Sequence, residues 1–130
     1  MSKVSISLAS YVCDDIVALS GFYADVFGFT EVAELRSEIF RGLDVDGVTL
    51  GFSSTVVYEM LHMKDWADPT GTSQYLTFEV AADEDVVDHT NAAVLLGAKL
   101  LHEPYETYYG AFQSVLADPE GNVFRINHFR

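Results

Sequence analysis

Basic residues are scarce in this chain: 7 Lys and Arg stand against 20 Asp and Glu, a formal charge of −13 over 130 residues. A surface of that sign repels phosphate backbones and anionic lipid headgroups, so no nucleic acid and no membrane is expected among the partners. Cysteine is scarcer still. Cys13 is alone, which excludes an intrachain disulfide and fits a reducing compartment. It precedes an acidic helix start that would disfavour its thiolate, so a structural role is read for it. No apolar run approaches the ~18 residues of a bilayer span, and the opening MSKVSISLASYVCDD lacks the apolar core of a signal peptide. A cytoplasmic protein is therefore expected. Also missing are a nucleophile elbow and a phosphate-cradling loop, and His62, His89, His102 and His128 form no HxH or HxxxH pair.

What the chain does have is material for a core. Hydrophobic residues make up 49%, with 1 Trp, 7 Tyr and 9 Phe, so disorder is excluded. VSISLASYV, from Val4 to Val12, reads as a strand. Asp14 and Asp15 can then cap a helix whose apolar stripe is Ile16, Leu19, Phe22 or Tyr23, Val26 and Phe27, closing at Gly28. FTEVAEL, SEIFRGLDVDG and VTLGFSS are three further strand candidates, with Asp46-Gly47 a tight-turn signal between the last two.

The second half repeats the order. YLTFEVA (Tyr75 to Ala81) is a strand, and Asp83, Glu84 and Asp85 can cap and charge the start of a helix carrying Val86, Val87, Ala93, Val94 and Leu95 before Gly97. AKLLHE, AFQSVLA and NVFRINHF follow as strands, with the turn DPEG between the last two. VFGFTEV lies over LLGAKLL, and DGVTLGF over EGNVFRI, so Gly28 and Gly47 match Gly97 and Gly121. The second half has the longer insert between these anchors, and that insert contains HEPYETYYG, read as a loop. The expected fold class is α+β: two βαβββ modules, about 1–66 and 72–130, sharing a core in one domain of residues 1–130. MLHMKDWADPTGT is the linker.

A repeated βαβββ unit, a helix holding FYADVFGF and a DPEGN turn before the last strand together resemble the vicinal oxygen chelate superfamily of glyoxalases, bleomycin-resistance proteins and extradiol dioxygenases. The resemblance covers nearly the whole chain and implies a curved mixed sheet around a cup-shaped cavity. In metal-dependent members it implies His, Gln or Glu ligands on the first and last strands of each module, the last-strand ligand falling seven residues after the Asp of the turn. Here that position is Arg125, and its counterpart in the first half is Gly51. The opening-strand positions are Ser7 or Leu8 and Tyr75. A cation at Arg125 opposes a divalent ion, so no metal and no cofactor is expected.

The candidate ligand-binding residues are then Arg125, Tyr75, Tyr105, Tyr108, Tyr109 and Phe112, with Glu38 and Arg41 as wall residues. Aromatic rings with polar tips suit a planar or amphipathic ligand, and a guanidinium suits a carboxylate or phenolate, or else an internal acid. The resemblance implies a metal-independent small-molecule binder similar to drug-sequestering bleomycin-resistance proteins, acting as a homodimer on a cationic or aromatic organic ligand. The alternative it leaves open is a glyoxalase-like lyase or isomerase, or a dioxygenase, with an unconventional metal or metal-free site.

Overall fold

The computed structural model describes residues 3, 5–67 and 74–130. The chain forms two compact units, Met1–Pro69 and Thr70–Arg130. The first contains strand β1 (Leu8–Cys13), helix α1 (Ile16–Phe27), strands β2 (Thr30–Glu31), β3 (Phe40–Val45) and β4 (Val48–Ser54), and the one-turn helix α2 (Val57–Met60). The second contains β5 (Leu76–Glu79), α3 (Asp83–Leu95), β6 (Lys99–Glu106), β7 (Ala111–Ala117) and β8 (Val123–Phe129). The strand orders are β1-β4-β3-β2 and β5-β8-β7-β6, so the last strand of each unit runs beside its first. Both of those pairings are parallel and the others antiparallel. The repeat read from the glycines is therefore a repeat of topology, and the α+β class with two βαβββ modules holds.

In the first unit Asp15 ends the extended segment and accepts a hydrogen bond from the N–H of Ala18 at 3.0 Å, holding one of the donors that a helix start leaves unpaired. Gly28, at φ 77°, closes α1 in the left-handed region that a side chain disfavours. Between these caps Ile16, Leu19, Phe22, Tyr23 and Val26 are buried against Leu43, Leu50 and Phe52 of the sheet. The rings of Tyr23 and Phe52 have centroids 5.6 Å apart. Burying a ring of this kind stabilises the fold by roughly 1.5–3 kcal/mol. In the second unit Val86, Thr90 and Ala93 of α3 face inward, and Phe78, Leu116, Phe124 and Ile126 are buried on the sheet. Inside this core the Thr90 hydroxyl donates to the Val86 carbonyl at 2.5 Å, which leaves its oxygen to accept from the Ser114 hydroxyl at 2.7 Å.

Four local expectations change. FTEVAEL gives only the two-residue β2 and then a 3₁₀ turn at Ala33–Leu35, where the carbonyls of Val32 and Ala33 accept from the N–H groups of Leu35 and Arg36 at 3.1 and 3.2 Å instead of from a neighbouring strand. β1 begins at Leu8, while Val4 lies outside the described residues, as does the whole DPTGT end of the linker. Asp83, Glu84 and Asp85 charge the first turn of α3, favourably for its dipole, but the N-cap is Ala82, which has no side-chain bond to give. The insert is not a loop. It lengthens β6 to Glu106, through two irregularities of pairing with β7, and leaves only a tight turn closed by Gly110 at φ 85°.

The DPEGN turn owes its shape to Asp118, whose buried carboxylate is fully engaged with amides. One oxygen accepts from the backbone N–H groups of Glu120 and Asn122, both at 2.9 Å, and the other from the Asn122 side-chain amide at 2.9 Å. Gly121, at φ 88°, supplies the left-handed residue, and the chain leaves the turn directly into β8.

Candidate functional site

Side chains alternate across a strand, so α3 takes Phe124 and Ile126 of β8 on one face while Arg125 and Asn127 fall on the other. Register carries the same face to the neighbouring strands. Thr77 of β5 pairs with Arg125 and Glu79 with Asn127, while on β7 Val115 pairs with Arg125 and Gln113 with Asn127. Tyr105 of β6 pairs with Gln113. No helix of the second unit packs on this face among the described residues.

Here the structure builds a polar network around one cation. Arg125 donates from Nε to Thr77 Oγ1 at 2.9 Å and from Nη1 to Tyr109 Oη and Gln113 Oε1, each at 3.2 Å. Its guanidinium carbon lies 5.1 Å from the centre of the Tyr75 ring, within range of a cation–π contact. Gln113, 3% exposed, links the tyrosines: Tyr109 donates to its Oε1 at 2.9 Å, and its Nε2 donates to Tyr105 Oη at 2.8 Å. Arg125 makes no ion pair among the described residues. Glu79, on the same face, is occupied by Asn127 Nδ2 at 2.8 Å and the N–H of Phe129 at 2.7 Å. Asn127 is 1% exposed, and its Oδ1 is a buried acceptor with no hydrogen-bond partner.

Of the residues singled out from sequence, Arg125, Tyr75, Tyr105 and Tyr109 thus come together. Tyr108, 99% exposed on the β6–β7 turn, touches only the edge of this group, its ring 5.1 Å from that of Tyr109. Phe112 falls on the opposite face of β7, where the Arg130 guanidinium sits 5.4 Å from its ring centre. Glu38 and Arg41 belong to the first unit: Glu38 is exposed, and Arg41 donates to the backbone carbonyls of Ser37 and Phe40. Sequence reasoning missed Thr77 and Gln113. Thr77 needed the parallel register, but Gln113 had a signal, as an amide within the otherwise apolar and small run AFQSVLA.

The resemblance implies a metal at this level of the sheet, and the donor set does not fit one. A divalent ion needs several convergent oxygen or imidazole donors. Arg125 presents only N–H groups, and the Gln113 carbonyl already accepts two hydrogen bonds. In the first unit the matching residue Gly51 has no donor, and its neighbour on β1, Ser10, is bonded to Ser53 at 2.9 Å. Among the described residues no group of three or more His, Cys, Asp or Glu is placed to hold a metal ion. His128 is bound to the Val80 carbonyl at 3.0 Å and His102 to that of Glu103 at 2.7 Å.

Two charged sites on the surface are perturbed. The Arg130 guanidinium, hydrogen-bonded to Asp83 at 2.5 Å, holds that carboxyl below the usual range, and Arg36 does the same to Glu31. Both are ion pairs of the exposed rim rather than parts of the network.

Residues 5–127 match the model of the glyoxalase-like domain. Among solved structures, a glyoxalase/bleomycin resistance protein/dioxygenase family enzyme from Burkholderia phytofirmans PsJN is 42% identical, with a TM-score of 0.95 over 98% of this chain and 100% of its own. A glyoxalase-related enzyme from Fulvimarina pelagi shares the fold at 21% identity and a TM-score of 0.84, over 95% of this chain and 87% of its own. Lactoylglutathione lyase from Agrobacterium tumefaciens does so at 18% identity and 0.73, over 98% and 95%. No curated protein matches the chain.

Proposed function

Since the chain belongs to the glyoxalase-like family, we propose that it is a metal-independent member that binds a small organic molecule, similar in role to bleomycin-resistance proteins. The observation that carries this reading is Arg125: the family's last-strand position holds a guanidinium fixed by neutral groups and making no ion pair among the described residues. A cation in that place repels a divalent ion and leaves hydrogen-bond donors for a ligand. The rings of Tyr75, Tyr105 and Tyr109 supply the apolar contact around it. A homodimer in the cytoplasm is part of the same proposal.

Native mass spectrometry of protein purified without chelator tests it. The expected spectrum shows a dimer with a bound or added organic molecule at stoichiometric level, unchanged after hours of incubation, and no stoichiometric metal. One equivalent of Fe, Mn, Ni or Zn, or conversion of the bound molecule, overturns it.

A further inference from the structure

We propose that the Arg125 network is a carboxylate receptor, so that the ligand is a small organic acid; this rests on the metal-free reading above and narrows it. The argument follows the hydrogens. Arg125 can only donate, and it donates to Gln113 at 3.2 Å, which fixes the carbonyl end of that amide toward the guanidinium. The NH₂ end is thereby turned to Tyr105, whose hydroxyl oxygen accepts at 2.8 Å. The hydroxyl hydrogen of Tyr105 then has no acceptor among the described residues. Thr77 is in the same state, because its oxygen accepts from Arg125 Nε at 2.9 Å. Nη2 of Arg125, with both of its hydrogens, also has none. Tyr109 by contrast is closed within the network, donating to Gln113 and accepting from Arg125.

Three neighbouring groups are therefore left with hydrogens to give, around a positive charge that no ion pair neutralises. Glu79, the acid on the same face, is engaged by Asn127 and the backbone of Phe129. The chemical group that answers this pattern is planar, has two oxygens that only accept, and has one negative charge: a carboxylate. An ammonium meets like charge at Arg125, where the Gln113 carbonyl already accepts two hydrogen bonds; the one unpartnered acceptor on this face among the described residues, Asn127 Oδ1, is buried and uncharged. A neutral amide brings one accepting oxygen and no charge. The rings of Tyr75, Tyr105 and Tyr109 favour an apolar or aromatic body on that acid. The chain's overall negative charge makes the local selectivity a matter of this network alone.

The test is titration calorimetry with benzoate, 4-hydroxybenzoate, phenylacetate and cyclohexanecarboxylate, each beside the primary amide and the amine of the same skeleton. At least one acid is expected to bind, with its amide and amine at least tenfold weaker. Arg125→Met is expected to lower the acid's affinity at least tenfold. Gln113→Glu conserves volume and gives the outstanding hydrogens an internal carboxylate, so it is expected to remain folded by circular dichroism and still lose the acid at least tenfold. Acid binding that survives both variants, amides or amines that bind as well as acids, or no acid binding to the native protein would each overturn the inference. Binding of amides or amines in place of acids leaves the metal-free reading intact. A stoichiometric metal with none of the three sets bound removes both.

Discussion

The two sheets share a strand order yet treat the face away from the helix in opposite ways. In the first unit Gly42 and Gly51 pair directly across β3 and β4, and the ring of Phe40 lies over both. A Cβ built on Gly51 would come within 2.8 Å of that ring and 3.0 Å of Ser10 Oγ. Ser10 and Ser53 bond to each other at 2.9 Å, so the polar groups beside the ring are satisfied internally. In the second unit the residue matching Gly51 is Arg125, and the network around it retains hydrogens that no group among the described residues accepts. A duplicated module can thus keep its backbone while one copy closes its sheet face and the other keeps it chemically open.

Filling the closed face should show the largest effect. Gly51→Val drives two methyl groups into the Phe40 ring, and overpacking of this kind costs typically 1–3 kcal/mol, so about 3 kcal/mol is expected by urea denaturation. Phe40→Ala on that background should recover part of the loss, with a coupling of about 1–2 kcal/mol in a double-mutant cycle. Additive losses would mean that Phe40 does not close this face.

The two last hairpins differ in the same sense and give the next test. Asp118 is buried and takes hydrogen bonds from three amide groups, whereas the exposed Asp44 takes one, from the N–H of Gly47 at 3.2 Å. Asp118→Ala is expected to cost about 2 kcal/mol and Asp44→Ala less than about 1 kcal/mol, since three part-buried hydrogen bonds are lost in the first case and one exposed bond in the second. Equal losses would remove the distinction between the turns.

The smallest effect is the rim pair on α3. The Asp83 carboxyl is lowered by its hydrogen bond to Arg130, so its contribution is present above the unfolded-state pKa and is lost as pH falls through the folded one. Asp83→Asn should therefore lower stability slightly at neutral pH, and the difference should fade in acid. Glu84→Gln in the same first turn makes the same change of charge at the same end of the helix dipole and serves as the control. A difference between the two variants that persists below the carboxylate range would exclude the pair as its cause.

Much of this comparison was legible in the sequence because it rests on local chemistry. Gly28, Gly47, Gly97 and Gly121 have positive φ values, and their spacing exposed the repeat and placed Arg125 opposite Gly51. The rest depends on residues distant in the chain. Thr77 meets Arg125 only through the parallel register of β5 and β8, and no periodicity sets that register. Phe40 covers Gly51 from the neighbouring strand, which neither residue announces. The insert misled because Pro104 and the Tyr-rich run suggest a loop, while long cross-strand pairing with β7 extended β6 through it.

The clamp on Arg125 also bears on speed. A free arginine loses substantial rotamer entropy, up to about 2 kcal/mol, when a partner fixes it. Here Thr77, Gln113 and Tyr109 have already fixed it, and no side chain at that centre has to reorganise before a guest arrives. On the carboxylate proposal, capture is expected to be governed by diffusion toward an acidic surface. For an anionic guest the association rate should rise with added salt, because salt screens the repulsion of the whole molecule at a distance where the guanidinium is not yet felt.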